Sequence, residues 1–464
     1  MIINITYKSF AKEEKCLKKL KINRKLAWIL ICDYCAKLIE YIKNIINSDH
    51  FITKHKQNPS DFIRKRKLPF QTLIIFFLNL LSGSYQKELN SYFQTLMGFD
   101  IPKLFVSKVA LSKARLKLKY EAFVDLNRHL VQFFYQHFKS VKRWHGFNLL
   151  VVDGSLIRLP RIKTIAEHFG AWHPTKGDEC PMARASQLFD PLNRISVDAI
   201  ISPKDVGERE LAAQHFLKLM PDDLVLLDRG YPAYWLFNLI LSLQANLCAR
   251  MSNKKWKIVR KFFNSGRREK IISLPVMSTS ISVCKEMGLS LKPLKLRLIR
   301  IDLPSGETEI LITSLLDKDL YPYEVFAELY HERWFVEEDY KKIKCWIEVE
   351  NFTGKTPLSV YQDFHARVFS KNLTQALSFP AKAIIQQDDK NRKYSYQVNF
   401  AQALASAKST IVLLFNRPMK TVRKLLTDLT ELFSVIIEPI RPGRNFPRKP
   451  KQRKNFYLNY KPVG

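Results

Sequence analysis

Residues Tyr330 to Lys344 read YHERWFVEEDYKKIK. At about 100° per residue on an α-helix, Tyr330, Arg333, Glu337 and Lys344 fall within roughly 60° of one another. Lys341 lies on the same stripe, and Leu329, Val336, Ile343 and Ile347 form an apolar seam about 90° away. Such a helix packs through its seam and turns a carboxylate ringed by cations outward, a combination suited to handling metal and phosphate. The bland reading of these residues is a pair of surface salt bridges at i,i+4 spacing, Arg333 with Glu337 and Glu337 with Lys341.

Two further acids bear on that choice. The apolar runs in FNLLVVDGS and DDLVLLDRGY lead to Asp153 and Asp228, and each reads as a buried strand giving way to a Gly-containing turn. An acid at the carboxyl end of a buried strand sits at the rim of the sheet, where open α/β folds build their sites. Either Asp alone reads equally well as a turn former or a helix cap. Two strand-end acids and a third on a basic helix face form a far less accidental set.

These residues resemble the DDE transposases of bacterial insertion sequences, in the subgroup called insertion-sequence family four. The signature of that subgroup is Tyr, two residues, Arg, three residues, Glu, six residues, Lys. Tyr330, Arg333, Glu337 and Lys344 match it without a gap, and the first two catalytic acids of the family fall on Asp153 and Asp228. The likeness continues through WIEVENFTGK and VYQDFHARV, so it spans roughly Phe147 to Leu377.

The resemblance implies an α/β fold with an RNase H-like core, a mixed sheet flanked by helices. It makes Asp153, Asp228 and Glu337 both the catalytic residues and the ligands of two Mg²⁺ ions, with Mn²⁺ able to substitute. Tyr330, Arg333 and Lys344 would bind phosphates of the element's end, with Lys341 beside them as a further DNA contact. Arg suits a bidentate grip on phosphate oxygens, and Lys acts as a point charge. In such enzymes water first frees a 3′-hydroxyl at the element end, and that hydroxyl then attacks target DNA.

Composition points the same way independently. The chain carries 76 Lys and Arg against 43 acids, a formal charge of +33, which calls for a polyanionic partner. A membrane is a poor candidate, because the longest apolar run, LPFQTLIIFFLNLL from Leu68, is broken by Gln71 and Asn79 and falls short of the about 20 residues a span needs. It reads instead as a buried helix. The start, MIINITYKSFAKEEK, lacks the pattern of a secretory signal, so a cytoplasmic, nucleoid-associated bacterial protein is expected. Seven cysteines without regular spacing fit reduced thiols, and Cys32-x-x-Cys35 has no second pair to complete a zinc site. His168 and His173, around Trp172, read as packing or turn residues.

Residues 1–146 are Lys-rich with helical periodicity and read as the domain that recognises the element's end. There Ser107 would cap a helix bearing Lys108, Lys113, Arg115 and Lys117, part of a helix-turn-helix-like pair. Residues 147–251 hold the first part of the catalytic core, including a helix from Glu208 to Leu219. Asp228 and Glu337 lie roughly 109 residues apart, more than one strand and one helix require. A β-rich insertion at 252–316 is therefore expected, its strands KWKIVRKFF, EKIISLPV, LKLRLIRIDL and TEILITSL, with a turn at Leu303 to Gly306. Trp256 is a candidate there to receive a flipped base, with a core aromatic as the alternative. Pro322 would open the signature helix within the second part of the core, 317–380. Residues 381–464 read as a helical region that supports dimerisation, followed by the basic tail RPGRNFPRKPKQRKNFYLNYK.

The leading expectation is a cut-and-paste transposase, a metal-dependent endonuclease and strand-transfer enzyme. It would act on terminal inverted repeats and target DNA as a homodimer. The alternatives are an RNase H-fold nuclease that does not join and a basic DNA-binding protein without catalysis, such as an inactivated copy.

Overall fold

The computed structural model describes residues 24–441 other than 65, 139–140, 173–178, 304–305 and 389–391, together with residue 461. The first 15 residues, His173, two positions of the Leu303–Gly306 turn and most of the basic tail lie outside them. Two compact units form, Met1–Ser48 with Leu373–Pro450 and Asp49–Asn372 with Lys451–Gly464. Helix α1 (Arg24–Asn47) belongs to the first.

The larger unit begins with five helices: α2 (Asp49–His55), α3 (Phe70–Leu78), α4 (Tyr85–Met97), α5 (Lys108–Arg115) and α6 (Glu121–His137). Helix α3 is the apolar run from Leu68, and it is buried along nearly its whole length. Ser107 caps α5, its hydroxyl accepting a hydrogen bond from the Ala110 N–H at 3.3 Å. Lys108 and Lys113 on α5 are exposed and Arg115 is buried. Lys117 lies beyond the helix end rather than on it.

The sheet follows in chain order: β1 (Asn148–Arg158), α7 (Lys163–Phe169), β2 (Ala171–Trp172), β3 (Cys180–Asp190), β4 (Ile195–Pro203), α8 (Glu208–Phe216), β5 (Asp223–Leu227), α9 (Tyr234–Ser242) and β6 (Asn246–Met251). Strand β3 pairs antiparallel with both β1 and β4, while β5 and β6 run parallel to β1. Three antiparallel strands followed by two parallel to the first are the mixed sheet expected of an RNase H-like core. Alternation along the strands divides the faces. Leu150, Val152, Val225 and Leu227 join Ala212 and Phe216 of α8 and Phe237 of α9 in one apolar cluster, so Leu149, Val151, Leu224 and Leu226 face the other side.

The segment expected as a β-rich insertion is mixed and continues this same sheet. It contains α10 (Lys257–Asn264), β7 (Glu269–Leu274), α11 (Ser278–Glu286), β8 (Leu294–Asp302) and β9 (Thr308–Thr313), and the strand order runs on from β6 through β9 and β8 to β7. From Lys257 on, KWKIVRKFF is a helix, not a strand. Val259 and Phe262 are buried at i,i+3 spacing while Lys257 and Lys261 are exposed, and that periodicity outweighs a rough alternation.

The signature segment is two helices, α12 (Val325–His331) and α13 (Trp334–Cys345). Between them the backbone bonds tighten to i→i−3, with Arg333 N–H donating to Tyr330 C=O at 3.2 Å. This short 3₁₀ turn eclipses Tyr330 and Arg333, so the single continuous helix is corrected here. Pro322 precedes α12 rather than opening it, and the helix expected to reach Leu219 ends at Phe216.

Helix α14 (Pro357–Asp388) follows, then β10 (Tyr396–Val398), α15 (Phe400–Asn416), α16 (Met419–Val435) and β11 (Ile437–Pro439). Within the smaller unit α1 packs against α15 and α16, Lys43 donating to the Arg417 carbonyl at 3.0 Å and Arg423 pairing with Asp33 at 2.8 Å. Among the described residues no helix is long and apolar enough to cross a membrane.

Candidate active site

Strand register brings the two aspartates together. Val151 pairs with Leu226 on the adjacent parallel strand. Two residues further along each segment come Asp153, still on β1, and Asp228, the first residue past the end of β5. By the two-residue period of a strand, Asp153 keeps the parity of Leu149 and Val151. It therefore belongs to the face opposite α8 and α9.

Helix α13 covers that face through its apolar seam, with Val336 and Ile343 buried. Its attachment is polar as well. Tyr340 donates to the Asp153 carbonyl at 3.0 Å, and Lys344 donates to Ser155 Oγ at 2.7 Å and the Leu156 carbonyl at 2.8 Å. On α12, the Tyr330 hydroxyl lies 3.4 Å from Asp228 Oδ1.

Arg333 links the remaining acids. Its Nε lies 4.0 Å from Asp228 Oδ1 and its Nη2 lies 3.2 Å from Glu337 Oε1. The Arg333–Glu337 ion pair of the bland reading therefore forms, but with a buried guanidinium rather than on an open surface. The companion Glu337–Lys341 pair is absent among the described residues, and Lys341 is exposed.

The electrostatics carry the mark of crowded acids. Asp153 has its carboxyl pushed up to about 7, chiefly by burial; the charges of Glu337 and Asp228 add to the shift, and the Gly154 N–H and Arg333 oppose it. Tyr231 is buried, and its hydroxyl has no hydrogen-bond partner among the described residues. Burial, and then the charges of Asp153, Glu208 and Asp228, hold that phenol well above its ordinary value. Arg333 Nε is likewise buried without a hydrogen-bond partner among the described residues.

Sequence reasoning missed Tyr231, Tyr340 and Glu208. Glu208, in the first turn of α8, accepts from Arg184 at 2.8 Å, and a Cβ built on Gly154 would stand 3.5 Å from its Oε1. A fourth acid thus flanks β1 next to Asp153, on the sheet's other side. The available signal was its place at the start of a recognisable helix.

Hard carboxylate oxygens, orphaned buried polar atoms and an acid that is costly to ionise without a counter-charge are features that suit a divalent cation. Among the described residues no three acidic, His or Cys side chains are already drawn close enough to hold one. The guanidinium of Arg333 stands between Asp228 and Glu337 instead, neutralising them.

Residues 144–373 match the family model described as a transposase DDE domain. The chain is also 23% identical over 403 residues to the transposase InsG for insertion sequence element IS4 of Escherichia coli (strain K12), covering 84% of this chain and 87% of that protein. Over residues 144–373 the chain is a DDE transposase, and its similarity to the IS4 transposase extends over most of its length. A cryo-EM structure of the piggyBac transposase synaptic complex with hairpin DNA aligns over 89% of this transposase and 86% of that chain, at 10% identity and a TM-score of 0.40. As a DDE transposase the protein is a metal-dependent enzyme that cuts and joins DNA. His168 lies in the matched region, exposed, and its ring bonds to the Tyr361 hydroxyl at 3.0 Å.

Proposed function

We propose that Asp153, Asp228 and Glu337 are the catalytic acids of a cut-and-paste transposase and hold two Mg²⁺ ions, for which Mn²⁺ can substitute. The supporting observation is the juxtaposition of all three at one end of the sheet: two aspartates, each two residues past the last paired residues of neighbouring parallel strands, and a glutamate tied to the second through Arg333. Bound there, divalent cations would supply Lewis acidity to the attacking and leaving oxygens of an in-line displacement at phosphorus.

The protein's own groups do the rest. Arg333, once drawn out of its ion pairs, offers a planar fork to phosphate oxygens. Lys344, tethered to β1, and the exposed Lys341 add positive charge along the path of the element's end, and Tyr330 completes the set from its place beside Asp228. Tyr340 fixes α13 to the backbone of Asp153 and so sets the height of Glu337 above the sheet. The partners are terminal inverted repeats and target DNA, engaged by a homodimer at synapsis in the bacterial cytoplasm.

Glu337→Ala tests this directly. Cleavage of duplexes selected by the protein from a random pool should disappear, with binding to them retained. A variant that still nicks those duplexes in Mg²⁺ rules the assignment out. Supplying pre-cleaved ends distinguishes a transposase, which joins them to target DNA, from a nuclease, which does not.

A further inference from the structure

A second feature of the larger unit shares no residue with the carboxylate site. Helices α4 and α5 and the loop leading into α14 enclose an open pocket of about 870 Å³. Lys108, Lys113, Arg115, Lys355 and Lys461 line it, and among the described residues no Asp or Glu does. That is a marked local segregation in a chain with 43 acids.

The charge is not matched internally. Arg115 is answered by Asp363, both buried, through a short ion pair. Lys108, Lys113 and Lys355 are exposed and have no acid at ion-pair distance among the described residues. Lys461 donates to the Phe352 carbonyl at 3.1 Å, a neutral acceptor that leaves its charge uncancelled. Clustered like charges repel, and an anion relieves that repulsion.

The walls extend the same preference. Thr356 and Ser359, at the start of the 32-residue helix α14, line the pocket, and a helix start carries partial positive charge from its unsatisfied N–H groups. Val109 and Leu116 also line it and are 56% and 54% exposed, offering apolar contact beside the cations. Cations spread over a helix and a separate loop, around a space far larger than one phosphate, fit a chain of phosphodiesters with intervening sugars.

We propose that this pocket grips the sugar-phosphate backbone of duplex DNA, giving the enzyme a sequence-independent hold away from its carboxylates. The proposal rests on DNA being the substrate.

The test is binding of the full chain to a random-sequence 30-bp duplex by fluorescence anisotropy, between about 50 and 200 mM NaCl. Lys108→Ala, Lys113→Ala and Lys355→Ala combined should weaken binding about tenfold or more and flatten the slope of log K against log salt by about 2 to 3, since each phosphate contact contributes about 0.9. The three Lys→Arg changes should preserve both. Lys163→Ala, Lys285→Ala and Lys424→Ala combined remove equal charge from scattered exposed positions and should flatten the slope by less than half as much. If the pocket variant folds poorly, Lys113→Ala alone should flatten the slope by about one.

An unchanged affinity and slope overturns the proposal. So does saturable binding of inorganic phosphate or pyrophosphate that depends on these lysines while duplex binding does not, because the pocket would then serve a small anion. Failure of the catalytic reading looks different: the wild type would bind the duplex yet neither cut nor join DNA.

Discussion

The ammonium of Lys371 lies 2.6 Å from Asp339 Oδ2, and the two side chains are 1% and 4% exposed. Asp339 sits two residues past Glu337 on α13, and Lys371 is on α14. The same ammonium donates to Ser196 Oγ at 2.6 Å, which in turn donates to Gln187 Oε1 at 2.6 Å. Gln187 is the strand partner of Asp153. A continuous buried polar path therefore joins the helix that carries Glu337 to the strand next to Asp153. Taking two charges out of water is costly, and removing one partner strands the other. Lys371→Met is expected to cost about 3–5 kcal/mol in urea unfolding, and Lys371→Met with Asp339→Leu to regain most of it. A single variant as stable as the wild type would show that the pair anchors nothing.

The raised carboxyl of Asp153 makes a pH-dependent prediction for the metal-free protein. A folded value of about 7, against about 3.9 in the unfolded chain, means that the folded state holds its proton more tightly. That contribution to stability is full below about pH 4 and is lost as pH rises through about 7. Asp153→Asn, uncharged throughout, should melt above the wild type at pH 8 in EDTA. The gap should shrink steadily on acidification to pH 5. A gap that is constant with pH, or that widens in acid, contradicts the assignment of burial and neighbouring acids as its cause.

Gly354 lies where the loop folds back on the first turn of α14. A Cβ there would come 2.2 Å from Ser359 Cβ and 2.9 Å from Arg115 Nη1. Neither a Cβ fixed to the helix backbone nor a buried, fully engaged guanidinium can yield cheaply. Gly354→Ala should lower stability by about 1–3 kcal/mol or more. Gly230→Ala, at a position with nothing within 4 Å, should leave stability nearly unchanged. Equal melting temperatures for the two variants would refute the packing argument.

What could be read beforehand followed the range of the interactions. Asp153 and Asp228 were legible because continuous apolar runs mark buried strands, and Glu337 because a helix repeats its face every few residues. Their approach at one end of the sheet, set by the pairing of Val151 with Leu226, was not. Lys371 with Asp339, and Tyr340 with the Asp153 carbonyl, join segments far apart in the chain, and no local pattern announces such pairs. The continuation of the sheet from β6 into β9 was hidden for the same reason: edge pairing is non-local. At Arg333 the helix is interrupted by a turn of i→i−3 bonds, which a wheel drawn at 100° cannot represent.

Trp256 shows where two local readings compete. As the residue before α10 it is 9% exposed and lies in one apolar cluster with Val259, Phe262 and Leu296. This is the core-aromatic alternative rather than a ring offered to a flipped base. Trp256→Ala should cost about 3–5 kcal/mol, and Trp256→Phe, which keeps an aromatic in the cluster, much less. With the Phe variant folded, 2-aminopurine placed at successive positions of a cleavable DNA end should report the same unstacking as with the wild type. A selective loss of that signal would mean that the indole leaves the core when DNA binds, and the packing seen in the free chain would then be only one of its two states.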